Sequence, residues 1–414
     1  MGAGAFVEQH TYTAPAHETG PRPRSVDLPL LLAVAGLLVF GLIMVFSASW
    51  DYSLKMEMPP TYMFTRQLVF LLGGVAGATF LSFFDYHNWR KLIVPAMLVT
   101  MFLLVAVLLT QEVRLGSKRA LFGGSVQPGE LAKLISIIYL SVWLYAKRDS
   151  LHVISFGLFP LSIILGIVGG LILAQPDIST AGTVLMMGGL LFFLAGGDLK
   201  QIVILLMVTF AVAWVVVMFS HTGQERLNEF VAGIKDPTHA SYHVLRSFEA
   251  IVQGGFFGLG LGNSHSKMTG LPLAPTDSIF AVIAEELGVI GVIFLIGLYA
   301  MLVWRGMVIA RRAPDMLGTL LASGLAIWIG LEALINMTVM VGLMPFAGNA
   351  LPFISAGGSS LTMSLGAVGI LLNISRQRGA GTQVQEDNEW RAFGATVDLR
   401  GRNGRRRLSR PRRA

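Results

Sequence analysis

Leu271-Pro-Leu-Ala-Pro-Thr-Asp-Ser-Ile-Phe-Ala-Val-Ile-Ala-Glu-Glu-Leu-Gly-Val-Ile-Gly291 carries a polar turn straight into a long apolar run. From Ser278 to Trp304 only Glu285 and Glu286 are charged, and a run of that length reads as a membrane-spanning helix. Thr276 is a good N-cap residue, so the stretch predicts Asp277 in the first helical turn, at the positive end of the dipole and near the membrane surface. Glu285 and Glu286 then lie two turns deeper. Ionisable groups inside a spanning helix are costly unless paired or wet, so they face a cavity or a partner rather than lipid. Two readings stand: the three carboxylates form a functional site, or Asp277 caps the helix and the glutamates pair with basic residues.

The composition agrees with a membrane location. Charged residues are 13% of 414 and hydrophobic residues 54%, with a mean hydropathy of +0.66, whereas a soluble domain carries about 25% charge. This is the composition of a polytopic membrane protein. Cysteine is absent, which excludes a disulfide framework and any Cys-based zinc or redox site. The formal charge of +7 is local: eleven Arg and four acids lie after residue 375, against twenty basic and twenty acidic residues before it.

Residues 1–26 are polar, contain Pro and Gly and lack an apolar segment, which reads as a disordered cytoplasmic leader rather than a signal peptide. Spans of about twenty residues follow at 27–49, 63–84, 91–110, 130–146, 153–174, 178–197, 200–219, 278–304, 316–341 and 359–375. The predicted fold is an all-α integral membrane bundle of about ten transmembrane helices over residues 27–375, with a large extracytoplasmic loop, 220–277, between the seventh and eighth. Residues 376–414 read as an Arg-rich, disordered cytoplasmic tail.

Lys and Arg in the short loops set the orientation. Arg22, Arg24, Arg90, Lys91, Lys147, Arg148, Lys200, Arg305, Arg311 and Arg312 fall on the same side as the tail, which makes that side, and both termini, cytoplasmic. The loop 111–129 breaks the trend with Arg114, Lys118 and Arg119, a basic cluster that either meets an anion or is simply solvated. Within 220–277, Tyr242, Leu245, Phe248, Ile251 and Val252 recur at helical spacing, which predicts an amphipathic helix lying on the bilayer. Gly254, Gly255, Gly258, Gly260 and Gly262 follow, with no strand before them and no Lys-Ser/Thr after them. They predict tight turning near the membrane rather than a phosphate cradle. His221, His239, His243 and His265 share the loop without metal-ligand spacing.

Polar residues interrupt other spans. Glu130 and Lys133, three apart at the start of the fourth helix, pair or jointly hold a substrate. Gln175-Pro176-Asp177 breaks the path between the fifth and sixth spans. Glu332 and Asn336 share a face of the ninth and can bridge helices. Gly318, Ala322, Gly324 and Gly342, in that span and its outer loop, would allow close approach of a partner helix or packing within the bundle.

Several stretches together resemble a known family. They are Phe46-Ser47-Ala48-Ser49, Val126-Gln127-Pro128-Gly129-Glu130-Leu131-Ala132-Lys133-Leu134 and Ala174-Gln175-Pro176-Asp177. Further on come Gly258-Leu259-Gly260-Leu261-Gly262-Asn263-Ser264, Pro275-Thr276-Asp277-Ser278-Ile279-Phe280-Ala281 with Glu285-Glu286-Leu287-Gly288, and Leu351-Pro352-Phe353-Ile354-Ser355-Ala356-Gly357-Gly358-Ser359-Ser360. In this order on a ten-helix layout they resemble the SEDS (shape, elongation, division and sporulation) family of FtsW-, RodA- and SpoVE-like proteins, over roughly residues 27–376.

That resemblance implies an inverting peptidoglycan glycosyltransferase, polymerising lipid II at the outer face of the bacterial cytoplasmic membrane, at the septum if the chain serves division. It implies Asp277 as the essential carboxylate and Arg119, Glu130, Lys133 and Ser359 as substrate-binding residues. Glu285, Glu286, Asp177, Gly357 and Gly358 line the cavity or support it. The implied partners are a single-pass class B penicillin-binding protein and other divisome or elongasome membrane proteins, with no nucleic acid and no organic cofactor.

Joining an α-linked pyrophosphate donor to a sugar hydroxyl with a β product is a single inverting displacement. It needs a base at the acceptor hydroxyl and positive charge at the leaving pyrophosphate. Asp277 suits the base, and Lys133 and Arg119 suit the pyrophosphate. A divalent cation, Mg or Mn, could share that work, since aspartate and phosphate oxygens are hard ligands.

The chain also departs from the family pattern. Arg119-Ala120 stands where Arg-Trp is common, Pro275 where His precedes Thr-Asp, Ala356 in Ser-Tyr-Gly-Gly, and Phe346 in Pro-Thr-x-Gly. Two rival functions fit the same features: a lipid II flippase or transporter, and a non-catalytic divisome scaffold.

Overall fold

The computed structural model describes residues 26–109 and 127–377. The predicted leader up to residue 25 and nearly all of the Arg-rich tail lie outside the described residues, as does Arg119. Among the described residues the protein is all helical. In chain order the helices are α1 (Leu28–Lys55), α2 (Tyr62–Phe83), α3 (Trp89–Leu109), α4 (Pro128–Lys147), α5 (Leu158–Leu173), α6 (Ile178–Leu194) and α7 (Leu199–Phe219). The long loop contributes α8 (His221–Lys235), α9 (Tyr242–Gly254) and the short α10 (Ser266–Thr269), and α11 (Ile279–Arg311) and α12 (Met316–Met340) follow. The last helix is α13 (Gly358–Gln377). Eight of these are long and apolar enough to cross a membrane, and α5 and α6 are shorter apolar helices. Each of the ten predicted spans falls on one of these helices. The loop predicted as one outer segment is itself mostly helical.

Local chemistry sets the ends. Asp27 caps α1 by accepting from the Leu30 N–H at 3.1 Å, and the Arg305 guanidinium at the far end of α11 closes on the same carboxylate at 2.8 Å. Asp177 and Asp315 cap α6 and α12 in the same way, from Thr180 N at 3.2 Å and Gly318 N at 2.9 Å. Each cap satisfies an N–H that has no intrahelical acceptor. The fifth span starts at Leu158 rather than 153, because Val153, Phe156 and Gly157 make turn hydrogen bonds to Ser150 and Val153 first.

Burial identifies the centre. The apolar windows of α4, α12 and α13 are 67%, 72% and 78% buried, against 11% for α7, so these three form the middle of the bundle. They are also the helices that carry Glu130, Lys133, Glu332, Asn336 and Ser359. The small residues of α12 serve this packing: Ala322 is fully buried, and Gly324 abuts Leu191 and Ile137. They do not present the free helix surface that would receive a partner helix.

The loop helix α9 is amphipathic, as its spacing predicts, with Val244, Ser247, Ala250 and Gly254 on its buried face. That face packs on α11 and α12, with Ser247 Oγ 3.3 Å from Met340 Sδ. The glycines after it form a strap seated in a break of α11. At Gly288 the backbone turns to φ 65°, ψ −164°, a conformation open to glycine and strained for other residues. The break frees the carbonyls of Glu285 and Glu286, which accept from Leu259 N at 3.0 Å and Gly260 N at 2.9 Å. In return Val289 N donates to Gly255 O at 3.0 Å. A broken helix is tolerated among apolar spans when neighbouring backbone satisfies the freed groups in this way. A β-carbon at 254 would stand 2.0 Å from Ala284 O, and one at 258 would stand 2.2 Å from Glu286 O. The predicted tight turning is present, with positive φ at Gly255, Gly258, Gly260 and Gly262, and Gly254 and Gly258 also let backbone lie on backbone.

Candidate active site

Asp277 lies in a turn, not in a helix. α11 begins at Ile279 with Ser278 in the cap position, and Thr276 turns its hydroxyl back to Leu273 O at 3.2 Å instead of capping. The physical reason is a competing set of partners. Three successive carbonyls of the turn are held from elsewhere: Pro275 O by Ala356 N at 2.8 Å, Thr276 O by Ser355 Oγ at 2.6 Å, and Asp277 O by Asn336 Nδ2 at 2.9 Å. Asn336 also donates to Asn349 O at 2.6 Å, and Ser355 Oγ accepts from Leu351 N at 2.7 Å. The 275–277 turn and the 345–357 segment are thus fastened to each other and to α12. The Asp277 side chain is half-buried against Gly348, where a β-carbon would stand 2.8 Å from its Oδ2. Tyr52 of α1 lies within electrostatic range of it.

One turn along α12 from Asn336, Glu332 meets Lys133. The ammonium lies between two carboxylates, bonded to Glu130 Oε1 at 2.9 Å and to Glu332 Oε1, with all three residues at most 6% exposed. The predicted i,i+3 pair of α4 is therefore part of a buried triad, and Glu332, which its spacing predicts as a helix bridge, is the third member. Lys133 Nζ is also 5.8 Å from the Trp328 ring centroid. On the far side, the gap between α4, α6 and α12 has no room for a water molecule, so the triad is sealed there.

The start of α4 joins the remaining predicted residues. Gln127 N donates to Ser359 Oγ at 3.0 Å, which sets the first residues of α4 beside those of α13. Asp177, capping α6, approaches Gly129 of α4, where a β-carbon would be 3.9 Å from its Oδ2. Gly358 packs under the Phe70 ring, 2.3 Å from where its β-carbon would be, so the residue must be small. Gly357 has looser neighbours, 3.6 Å or more away. The N-termini of α4, α6 and α13 thus converge, and helix N-termini favour anions.

Glu285 and Glu286 belong elsewhere, with structural partners of their own. Glu285 accepts from Ser264 Oγ at 2.6 Å, His265 N at 2.8 Å and Ser266 N at 3.1 Å, which fixes α10. Glu286 accepts from Ser47 Oγ at 2.6 Å and from Lys267 Nζ at 2.9 Å. Lys267 in turn donates to Gly262 O at 2.8 Å and Ser47 O at 3.2 Å. Both glutamates are fully buried and hold the strap onto α11 and α1. Lys267 carried no signal in the sequence; it is a single lysine in a polar stretch whose acid lies 19 residues away.

Residues 28–380 match the FtsW, RodA and SpoVE family, described as cell cycle proteins. The chain is 42% identical over 354 residues to a probable peptidoglycan glycosyltransferase FtsW of Trichlorobacter lovleyi, covering 84% of this chain and 93% of that one. It is 38% identical over 365 residues to stage V sporulation protein E of Bacillus subtilis, covering 85% and 97%. Among solved structures it resembles a chain of a peptidoglycan synthase complex that coordinates polymerization and crosslinking, with TM-score 0.69, 28% identity and coverage of 86% and 98%. It also resembles the rod shape determining protein RodA of Thermus thermophilus, with TM-score 0.63, 27% identity and the same coverage.

Proposed function

Because this chain belongs to the FtsW, RodA and SpoVE family of cell cycle proteins, we propose that its Asp277 region polymerises lipid II into glycan strands, with the Asp277 carboxylate as general base. The protein is a multi-pass membrane peptidoglycan glycosyltransferase. The observation that carries the assignment to Asp277 is the fastening of carbonyls 275, 276 and 277 to three separate groups, which holds one half-buried carboxylate in a fixed place. Fixed placement is what a general base requires.

In the reaction, the acceptor sugar hydroxyl gives its proton to Asp277 as its oxygen bonds to the anomeric carbon of the donor. The bond from that carbon to the pyrophosphate oxygen breaks, the configuration inverts from α to β, and undecaprenyl pyrophosphate leaves. The converging N-termini of α4 and α13, with Ser359 between them, favour the anionic leaving group. Arg119 is assigned to the same group by resemblance. Lys133 alone does not supply the balancing charge, because Glu130 and Glu332 share its ammonium.

That balance supports a divalent cation, Mg or Mn, shared with the substrate. Among the described residues no group of three or more His, Cys, Asp or Glu could hold a metal by itself. The fit is to an ion held jointly with phosphate oxygens. Asp277, half-buried in its turn, and Glu130, whose Oε2 is buried with no hydrogen-bond partner, carry the carboxylate oxygens suited to it. Bound there, it would offset the charge of the leaving pyrophosphate.

The partner suited to a glycan polymerase is a single-pass class B penicillin-binding protein, which would crosslink the strand as it emerges. The chain would sit in the bacterial cytoplasmic membrane with the Asp277 end outside. The test is strand formation from purified lipid II by folded Asp277→Asn protein in detergent. The expected fall is about 10²-fold or more, typical of a lost general base. Wild-type rates would overturn the assignment. A flippase would show no product in detergent even from wild type.

A further inference from the structure

Phe346 stands where the segment 345–349 meets the helices of the long loop. The His243 ring of α9 stacks on it with centroids 4.2 Å apart and planes 23° from parallel. The Arg226 guanidinium of α8 lies over the same ring, 5.6 Å from its centroid. Burial, and then Arg226, push the His243 imidazole below its ordinary pKa, so at neutral pH it stacks as an uncharged ring and Arg226 is the cation of the group. Two residues beyond Phe346, Gly348 lies against Oδ2 of Asp277. The next residue, Asn349, shares the Asn336 amide with Asp277 O. The wall on which the Asp277 carboxylate rests is therefore held by Asn336 on one side and carries the clamped Phe346 on the other. A small cleft of about 70 Å³, lined by Phe230, Phe248, Met344 and Phe346 among others, opens beside the clamp. It gives the ring somewhere to move if the clamp is released.

We propose that Phe346 is a positioning residue for Asp277: the clamp of Arg226 and His243 on its ring sets the 345–349 wall and, through Gly348, the carboxylate. The inference rests on the reading of Asp277 as the general base. It assigns α8 and α9 a share in the geometry of a site that neither helix enters. Interior packing alone would make Phe346 matter for stability and leave turnover per folded molecule unchanged.

The experiment measures kcat and KM for strand formation from lipid II by folded protein. Phe346→Leu keeps an apolar side chain but removes the face that both clamp groups use. Its expected result is a fall in kcat of about 10-fold or more with KM little changed, since misplacement by about 1 Å can cost about 10²-fold. Phe346→Tyr keeps the face and should restore kcat. Arg226→Gln should lower kcat in the same sense and Arg226→Lys less so. These two changes lie on α8, away from the core, and report even if Phe346→Leu fails to fold. Gly348→Ala pushes directly on the carboxylate, and combining it with Phe346→Leu should lose less than the product of the two single effects, because both act through one group. Wild-type kcat in Phe346→Leu or Arg226→Gln, absence of rescue by Phe346→Tyr, or full additivity with Gly348→Ala would each overturn the proposal. Asp277→Asn, assayed beside them, separates the two failures. If it is inactive while the clamp variants are normal, only the clamp is wrong; if it is fully active, the reading beneath it is wrong.

Discussion

Asn336 donates its side-chain amide to the backbone carbonyls of Asp277 and Asn349, at 2.9 and 2.6 Å, from one turn along α12 beyond the Glu332 that holds Lys133. A rise of 1.5 Å per residue puts the two contact points about 6 Å apart along one helix face. α12 therefore sets the spacing between the carboxylate turn and the buried triad, and its interior position keeps that spacing rigid.

Asn336→Leu should test this spacing directly. It removes both donated bonds and leaves two carbonyls short of a partner, at about 1–3 kcal/mol for each buried group left unsatisfied. Thermal unfolding in detergent should fall accordingly, and strand formation by the remaining folded protein should fall with it. An unchanged rate in folded protein would mean that the Asp277 turn holds its place without α12.

Lys133→Met leaves Glu130 and Glu332 facing each other in an apolar interior. Breaking a buried pair costs about 3–5 kcal/mol. Glu332→Gln instead leaves one carboxylate for one ammonium, and its melting temperature should stay close to wild type. Adding Glu332→Leu to Lys133→Met should recover part of the loss. Full additivity of that pair would contradict the triad.

Gly258→Ala should dislodge the strap, because the β-carbon would stand 2.2 Å from Glu286 O and the residue holds φ +78°. The expected loss exceeds the gain of up to about 1 kcal/mol that Ala brings in a helix interior. Gly73→Ala, with nothing within 4 Å of the new carbon, is the control and should be neutral or slightly stabilising. Hydrogen exchange at Leu259 and Gly260 should rise in the Gly258 variant and not in the control.

His243 should make stability depend on pH. Its folded pKa lies below the ordinary 6.5, through burial first and Arg226 second. The unfolded chain then binds the proton more readily, so its contribution is complete above pH 6.5 and is lost as the pH falls below that value. Arg226 and Glu229 are the charged groups around the neighbouring cleft. His243→Phe keeps a ring on Phe346 and cannot titrate. Melting curves of the two proteins should diverge as the pH is lowered below 6.5; parallel curves would remove His243 as the cause.

Orientation has its own measurement in a chain without cysteine. Single cysteines at Thr238 and Gly381 should label from outside and inside the cell respectively, as the Lys and Arg asymmetry of the loops predicts. Labelling from one side would reverse or refute that assignment.

The sequence by itself determined the helices, because hydropathy and capping are local: twenty apolar residues in a row have few alternatives to a helix in lipid, and α1, α6 and α12 begin where the side chains of Asp27, Asp177 and Asp315 accept from the N–H groups just after them. It also marked the buried acidic and basic residues other than Asp27 and Lys267, since charge inside an apolar run is visible without a fold. The roles of those residues were decided only by tertiary structure, because a carboxylate's function depends on what it faces. Glu332 and Lys133 are 199 residues apart, Glu286 and Ser47 are 239 apart, and Asn336 reaches back 59 residues to Asp277. Three acids that looked alike in one short stretch were separated by such contacts: Glu285 and Glu286 were taken up by the strap, and Asp277 was drawn out of the helix its neighbours predicted. The break at Gly288 was hidden for the same reason, since a glycine in an apolar run shows its φ only when another backbone lies against it.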